Sequence, residues 1–475
     1  MSSFGAALRV STFGESHGSA VGCIIDGLPP RLPLSVEDVQ PQLNRRRPGQ
    51  GPVSTQRAER DRAHILSGVE DGYTLGSPVA ILVWNEDRRP EDYGGLCTLP
   101  RPGHGDFAYH AKYHIHARSG GGRSSARETL ARVAAGAVVE KWLRRDYGTT
   151  VTAWVCQVGD VAVPDALRRK WRQTPPTREA VDSLGRVRVS LDGATYLDAE
   201  GRLYDAEGQA ITQQDEIARR RRLFGRTAGA PAEGETVVDT RCPCASTAVK
   251  MVIKIKQIRE LGDSIGGCVS CAIVQPPVGL GEPCFDKVEA ELAKAMMSLP
   301  ATKGFEIGQG FASVTMRGSE HNDPFVPTAM TARRTPQLVA SPDPPPCCSP
   351  AQASTSAPRS PRCPLPSGAE LRLRCGSNNA GGTLAGITSG ENILFRVAFK
   401  PVSSIGMVQE TADFTGEVQQ LAVKGRHDPC VLPRAPPLVE SMAALVVGDL
   451  CMRQRAREGP QPLFVLRPED GRSTC

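Results

Sequence analysis

Apolar positions recur at two spacings along this chain. Alternation with a period of two marks strands in "ALRVSTFG" from Ala7, "GGCVSCAIVQPPVG" from Gly266 and "NILFRVAFKPV" from Asn392. Recurrence at three and four marks helices in "SARETLARVAAGAVVEKWLRR" from Ser125, "STAVKMVIKIKQIREL" from Ser246, "DKVEAELAKAMMSL" from Asp286 and "LVESMAALVVGDLCMRQRA" from Leu438. These elements fall in three blocks, 1 to about 163, about 237 to 330 and about 376 to 460, which read as one folded unit.

Two segments break the pattern. The first, about 164–236, is charged, holds the near-repeat "YLDAEGR" and "LYDAEGQ" that predicts a small hairpin, and ends in the basic run Arg219 to Arg222, read as a solvated face. The second, about 333–375, contains a stretch from Pro336 to Pro366 that is close to one-third proline. Such a composition buries too little apolar surface to offset its ordering entropy, so disorder is expected there.

Composition narrows the class. A chain of 475 residues can bury a large core. Mean hydropathy is −0.27 and no apolar run nears the roughly 18 residues of a membrane helix. No basic, apolar leader precedes the first strand pattern, so the expected setting is cytoplasmic, with the mature chain starting near Met1. Fifteen cysteines without such a leader read as reduced thiols. "RCPC" and "CVSC" do not make a zinc site, because Cys268 and Cys271 on a strand point to opposite faces. The net charge of +6 is spread beside glycine-rich segments, which favours a small anionic ligand over nucleic acid.

The chemistry gathers in glycine-rich stretches. "TFGESHGSA" sets His17 between glycines, and "RPGHGDFAYHAKYH" does the same for His104. In "SGGGRSSARET" the glycines admit close approach of a ligand, Arg123 offers a fork of donors, and Ser124 and Ser125 add hydroxyls at a helix start. "SNNAGGTLAGITSG" is a second glycine-rich loop, and "FKPVSS" places Lys400 just before Ser403 and Ser404. "KGRHDPC" sets Arg426 and Asp428 on one side of an extended segment, where a carboxylate among arginines is kept charged and able to accept a proton. "LNRRRPGQG" supplies Arg45, Arg46 and Arg47, read either as a solvated helix end or as a rim over an anionic substrate.

Taken in order, "TFGESHG", "RRRPGQ", "RPGHGDFAY", "SGGGRSSARET", "GDSIGG", "PVGLGEPCFDK", "KGFEIGQGF", "NNAGG", "FKPVSSI" and "KGRHDPC" resemble the chorismate synthase family across nearly all the chain outside the two interruptions. The resemblance implies a single α+β catalytic domain over 1–475, a sandwich of helices between antiparallel sheets with two surface insertions, assembled as a homotetramer. It implies a lyase that eliminates phosphate from 5-enolpyruvylshikimate-3-phosphate with reduced FMN and no net redox change. His17 and His104 match the histidines that protonate the reduced flavin and the leaving phosphate, and Asp428 the carboxylate that assists proton removal at the flavin. Arg123, Ser124, Ser125, Ala301, Ala385, Lys400, Pro401, Val402, Ser403, Ser404 and Arg426 fall where the family contacts FMN. Arg46 falls where it contacts a nicotinamide cofactor or substrate. Three positions depart: Ala385 replaces a glycine, Pro300 an asparagine of bacterial members and Pro52 a basic residue. Without that second basic residue "RRRPGQ" resembles eukaryotic members, which implies that the chain reduces its own FMN with NADPH. The alternatives are an NADPH-consuming flavin oxidoreductase and a non-catalytic member of the fold, the latter opposed by the intact His17, His104, Arg426 and Asp428.

Overall fold

The computed structural model describes residues 2–51, 53–55, 57–87, 98–115, 117, 120–224, 235–327, 373–423 and 428–458. The proline-rich segment, Pro52 and Arg426 lie outside them.

Two antiparallel sheets face each other across a helical layer. The front sheet runs Ser3–Phe4, Arg9–Phe13, Ala20–Asp26, Val79–Trp84, His64–Ser67. The back sheet runs Thr302–Ile307, Ile393–Phe399, Gly267–Val274, Thr150–Val158, Val161–Ala162. The front sheet alternates as a half-buried sheet should, with Val21, Cys23 and Ile25 inward and Ile24 outward. Thr150–Val158 is buried on nearly every residue, because helix Ala245–Glu260 covers its other face.

Helices Thr129–Tyr147 and Pro436–Glu458 fill the space between the sheets, the first against the front sheet and the second against the back. Both are apolar on almost every side, as expected for helices enclosed on all faces. Their crossing is close enough to demand glycine: a Cβ on Gly136 would lie 2.3 Å from Ser441 Cβ, and one on Gly448 2.5 Å from Val139 Cγ1. Below the crossing, buried Glu440 accepts hydrogen bonds from Arg45, Gln42 and the Ala153 amide, and Arg178 pairs with both Glu440 and Glu140. Burial pushes the Glu440 carboxyl up, but Arg178 and Arg45 outweigh it and hold the group down to about 2.

Two sequence expectations shift. The helix expected from Ser125 begins at Thr129; Gly122–Ser124 and Ala126–Glu128 are short 3₁₀ turns, because Ser125 is extended at φ −70°, ψ 146°. The charged segment is also less superficial than its composition suggests. Helices Asp165–Gln173 and Arg178–Leu184 bury Trp171 edge-on against Trp154 and Val181 in the core. The projecting part leaves at Arg186 and returns at Asp239, two residues paired across its neck, with the Thr240 amide 2.8 Å from Gly185 O. It carries a four-stranded sheet in which the near-repeat pairs Tyr196–Leu197 with Leu203–Tyr204. Both copies make the same turn: Asp198 and Asp205 each accept two following amides, before Gly201 and Gly208 at φ +79°.

Candidate active site

A cavity of about 350 Å³ opens where the ends of the central helices meet the loops of both sheets. Its lining includes His17, His104, Asp428, Arg46, Ser124, Ser125, Ala301, Lys400, Pro401, Val402, Ser403 and Ser404, so residues spread over 412 positions of sequence converge there.

On one side the walls are glycine, hydroxyl and lysine. Gly103 O accepts from Lys400 Nζ at 2.8 Å and from Ser403 Oγ at 2.7 Å, and Lys400 Nζ also lies 2.9 Å from Ser403 Oγ. Ser124 Oγ donates to Gly121 O at 2.7 Å. The imidazole of His17 lies over Gly120, where φ is +103° and a Cβ would come within 3.0 Å of the ring. His104 Nε2 would meet a Cβ on Gly121 at 3.3 Å, so the glycines sequence reasoning singled out are what let both rings reach the cavity. Ala301 holds its backbone at φ +66°, and its carbonyl accepts the Lys400 amide at 2.8 Å.

The other side is a wall of arginines, each tied to a carboxylate. Arg46 is almost fully buried; it donates to Ala126 O and Thr129 Oγ1 and pairs with Asp61 at 3.4 Å. Burial, then neighbouring Arg434, push its guanidinium down to about 9, which leaves it charged at neutral pH. Arg127 binds Asp61 at 2.5 Å and Asn85 at 2.8 Å; Arg57 binds Glu59 at 2.6 Å and Ser16 O at 3.1 Å. Arg434 reaches Asp428 Oδ2 at 2.7 Å and Arg46 O at 3.1 Å, while the Thr55 amide reaches Asp428 Oδ1 at 2.8 Å. The proton-accepting carboxylate read from "KGRHDPC" is thus fixed at both oxygens. Among the described residues, buried Ser16 Oγ of the lining has no hydrogen-bond partner, and Arg127 Nη2 has none beyond its ion pair with Glu59 Oε2 at 3.6 Å. Orphans of this kind fit a site that receives polar ligand atoms.

Two of the expected flavin contacts lie elsewhere in the chain's own fold. Arg123 turns away from the cavity, donating to Gly14 O at 2.9 Å and Thr12 Oγ1 at 2.6 Å, and lines a separate cavity of about 250 Å³. Its effect here is to brace the turn carrying His17. Ala385 sits at φ +51° in the hairpin Thr383–Leu384/Ile387–Thr388, beside Gly386 packed on Glu282 and Lys287, and does not line the cavity. Arg57, Arg101, Arg127, Arg434, Ser16 and Asp106 were missed, although most lie in quoted motifs. A lone arginine in a loop carries no sequence sign of which carboxylate it will meet. Among the described residues, no group of His, Cys, Asp and Glu is placed to hold a metal ion, and no helix is long and apolar enough to cross a membrane.

Comparison with known proteins agrees with this architecture. The family model for chorismate synthase matches residues 8–452. The chain is 65% identical to a chorismate synthase of Toxoplasma gondii over the full length of both, and 42% identical to the Saccharomyces cerevisiae enzyme over 96% of this chain and 98% of that one. A crystal structure of a chorismate synthase superposes with a TM-score of 0.59 at 25% identity, covering 95% of this chain and 93% of its own. The chain belongs to the chorismate synthase family. It is an enzyme, a lyase of aromatic biosynthesis through the shikimate pathway, in a family whose members use a flavin.

Proposed function

We propose that the cavity eliminates phosphate from 5-enolpyruvylshikimate-3-phosphate to give chorismate, with reduced FMN as cofactor, by carbon–oxygen cleavage. What carries this reading is the joining of two histidines and a fixed carboxylate in one cavity whose opposite walls suit different anions. The lysine and hydroxyl side, with Ser124, Ser125, Ala301 and Lys400 to Ser404, would hold the cofactor; Arg426 joins this set from outside the described residues. The arginine side would hold the phosphate and carboxylates of the substrate. Reduced FMN, when bound, supplies electron density that eases the loss of phosphate and a barely acidic hydrogen.

The protein's own share follows from geometry. His17 and His104 deliver protons at sites of negative charge, one to the cofactor and one to the departing phosphate. Asp428 accepts a proton while Arg434 and the Thr55 amide hold it in place. The arginine wall fixes the substrate before reaction, so its orientation costs nothing at the barrier. Arg46, its donors engaged by Asp61, Ala126 and Thr129, meets substrate or nicotinamide chiefly through its charge. NADPH is the reductant in this reading, the setting is cytoplasmic and the assembly a homotetramer. The outer face of the front sheet, where Phe13, Ile24, Leu66 and Trp84 are exposed, offers an apolar surface to a second copy. Ala385, off this cavity, would meet flavin only as a residue of a neighbouring copy.

Stoichiometry tests the reading. Chorismate and phosphate should form in equal amounts while the flavin stays reduced. One NADPH or one reduced flavin consumed per product would make the chain an oxidoreductase instead.

A further inference from the structure

His104 does not stand alone in its loop. Its Nδ1 lies 2.7 Å from Asp106 Oδ1, and Asp106 is held in turn by Arg101, whose Nε reaches Oδ2 at 2.8 Å and Nη2 reaches Oδ1 at 2.9 Å. The Arg101 amide adds a third contact to Oδ2 at 3.2 Å, and Arg101 Nη1 ties the group to Ser404 Oγ at 3.3 Å. Asp106 and Arg101 are both buried, and Asp106 is the first residue of helix Asp106–Tyr113, so its backbone is fixed as well.

We infer that Asp106, locked by Arg101, is a positioning residue for His104, fixing the ring so that Nε2 alone exchanges protons with the cavity. An ionised carboxylate only accepts hydrogen bonds, so Nδ1 must carry a hydrogen and the neutral ring leaves Nε2 bare. The approach of Arg101 Nη2 to Nδ1, 3.1 Å, then joins two donors and is no hydrogen bond. Burial raises the Asp106 carboxyl, but hydrogen bonds from His104 and Arg101 outweigh it and keep the group well below the usual carboxylate range. Also near the ring are Lys400, bonded to Gly103 O of the same loop as His104, and the His17 imidazole across the Gly120–Gly121 turn. The 2.7 Å contact with Asp106 sets the tautomer.

This inference rests on the reading that His104 moves a proton. The test compares wild type, Asp106→Asn, His104→Ala and the double variant in anaerobic assays with chemically reduced FMN and 5-enolpyruvylshikimate-3-phosphate. An amide keeps the shape but accepts or donates, so the wrong tautomer becomes available. Asp106→Asn should lower kcat by about 10- to 100-fold, as removal of an orienting partner commonly does, with KM and FMN affinity little changed. Added to His104→Ala it should cost nothing more, since residues acting through one group are not additive. Costs that multiply in the double variant, or a lowered melting temperature with normal kcat per folded molecule, would reduce Asp106 to a structural role. Slow His104→Ala beside normal Asp106→Asn overturns this inference alone; normal His104→Ala overturns the parent reading with it.

Discussion

The two walls of the cavity solve the same problem, holding anions, by different means. On the arginine side every guanidinium rests on a carboxylate: Arg46 and Arg127 on Asp61, Arg57 on Glu59, Arg434 on Asp428, and beneath them Arg45 and Arg178 on Glu440. On the other side Lys400, Ser403 and Ser124 rest on the carbonyls of Gly103 and Gly121. Charges paired to buried carboxylates cannot be removed singly without stranding a partner, so the first wall is part of the fold. Donors parked on loop carbonyls turn to a ligand at small cost, so the second wall is part of binding. Changes on the first wall should therefore register first as stability, and changes on the second as FMN affinity.

The sharpest contrast is Glu440→Ala. Removing one partner of a buried pair should cost roughly 3–5 kcal/mol, read as a large drop in denaturation midpoint. An unchanged midpoint would break the comparison. His17→Ala and His104→Ala should instead lower turnover by roughly 10²- to 10⁴-fold, the usual range for a positioned acid or base, with melting and FMN affinity nearly intact. Destabilised variants with normal turnover per folded molecule would make both rings braces of their turns.

Acid should act on the first wall. Glu440 is held down to about 2 from an ordinary 4.5, so the native state binds its proton less readily than the unfolded chain. That contribution is fully present above pH 4.5 and is lost as pH falls toward 2, on the order of 3 kcal/mol. Chemical denaturation across this window should show the loss in wild type and a flatter curve in Glu440→Gln. On the second wall, Lys400→Ala should weaken FMN binding by about 1.5–3 kcal/mol, the range for a hydrogen bond to a charged group, and barely shift the melting temperature. Equal effects on both would erase the distinction between the walls.

The second wall was largely legible in the sequence; of the first, Arg45, Arg46 and Asp428 were, and their partners were not. His17, His104, Ser124, Lys400 and Ser403 sit in short motifs whose glycines show locally that a ligand or ring must come close. Arg434, Asp61 and Glu440 lie in segments that look like ordinary helix or loop, Arg127 lies at the plain end of a quoted motif, and the pairings span up to 395 residues between Arg45 and Glu440. No local spacing encodes such a partner. The same reason hid the true neck of the charged excursion: composition along 165–184 reports its many charges, while Trp171 and Val181 do the packing. Arg123 was read from its motif as a ligand of the cofactor, yet its side chain follows the neighbouring Gly14 carbonyl away from the cavity.

The most direct test of the whole account is anaerobic incubation of the purified full chain with chemically reduced FMN and 5-enolpyruvylshikimate-3-phosphate, following chorismate by absorbance. The account predicts many turnovers per enzyme without added reductant. Folded, FMN-binding protein that forms no chorismate would contradict it.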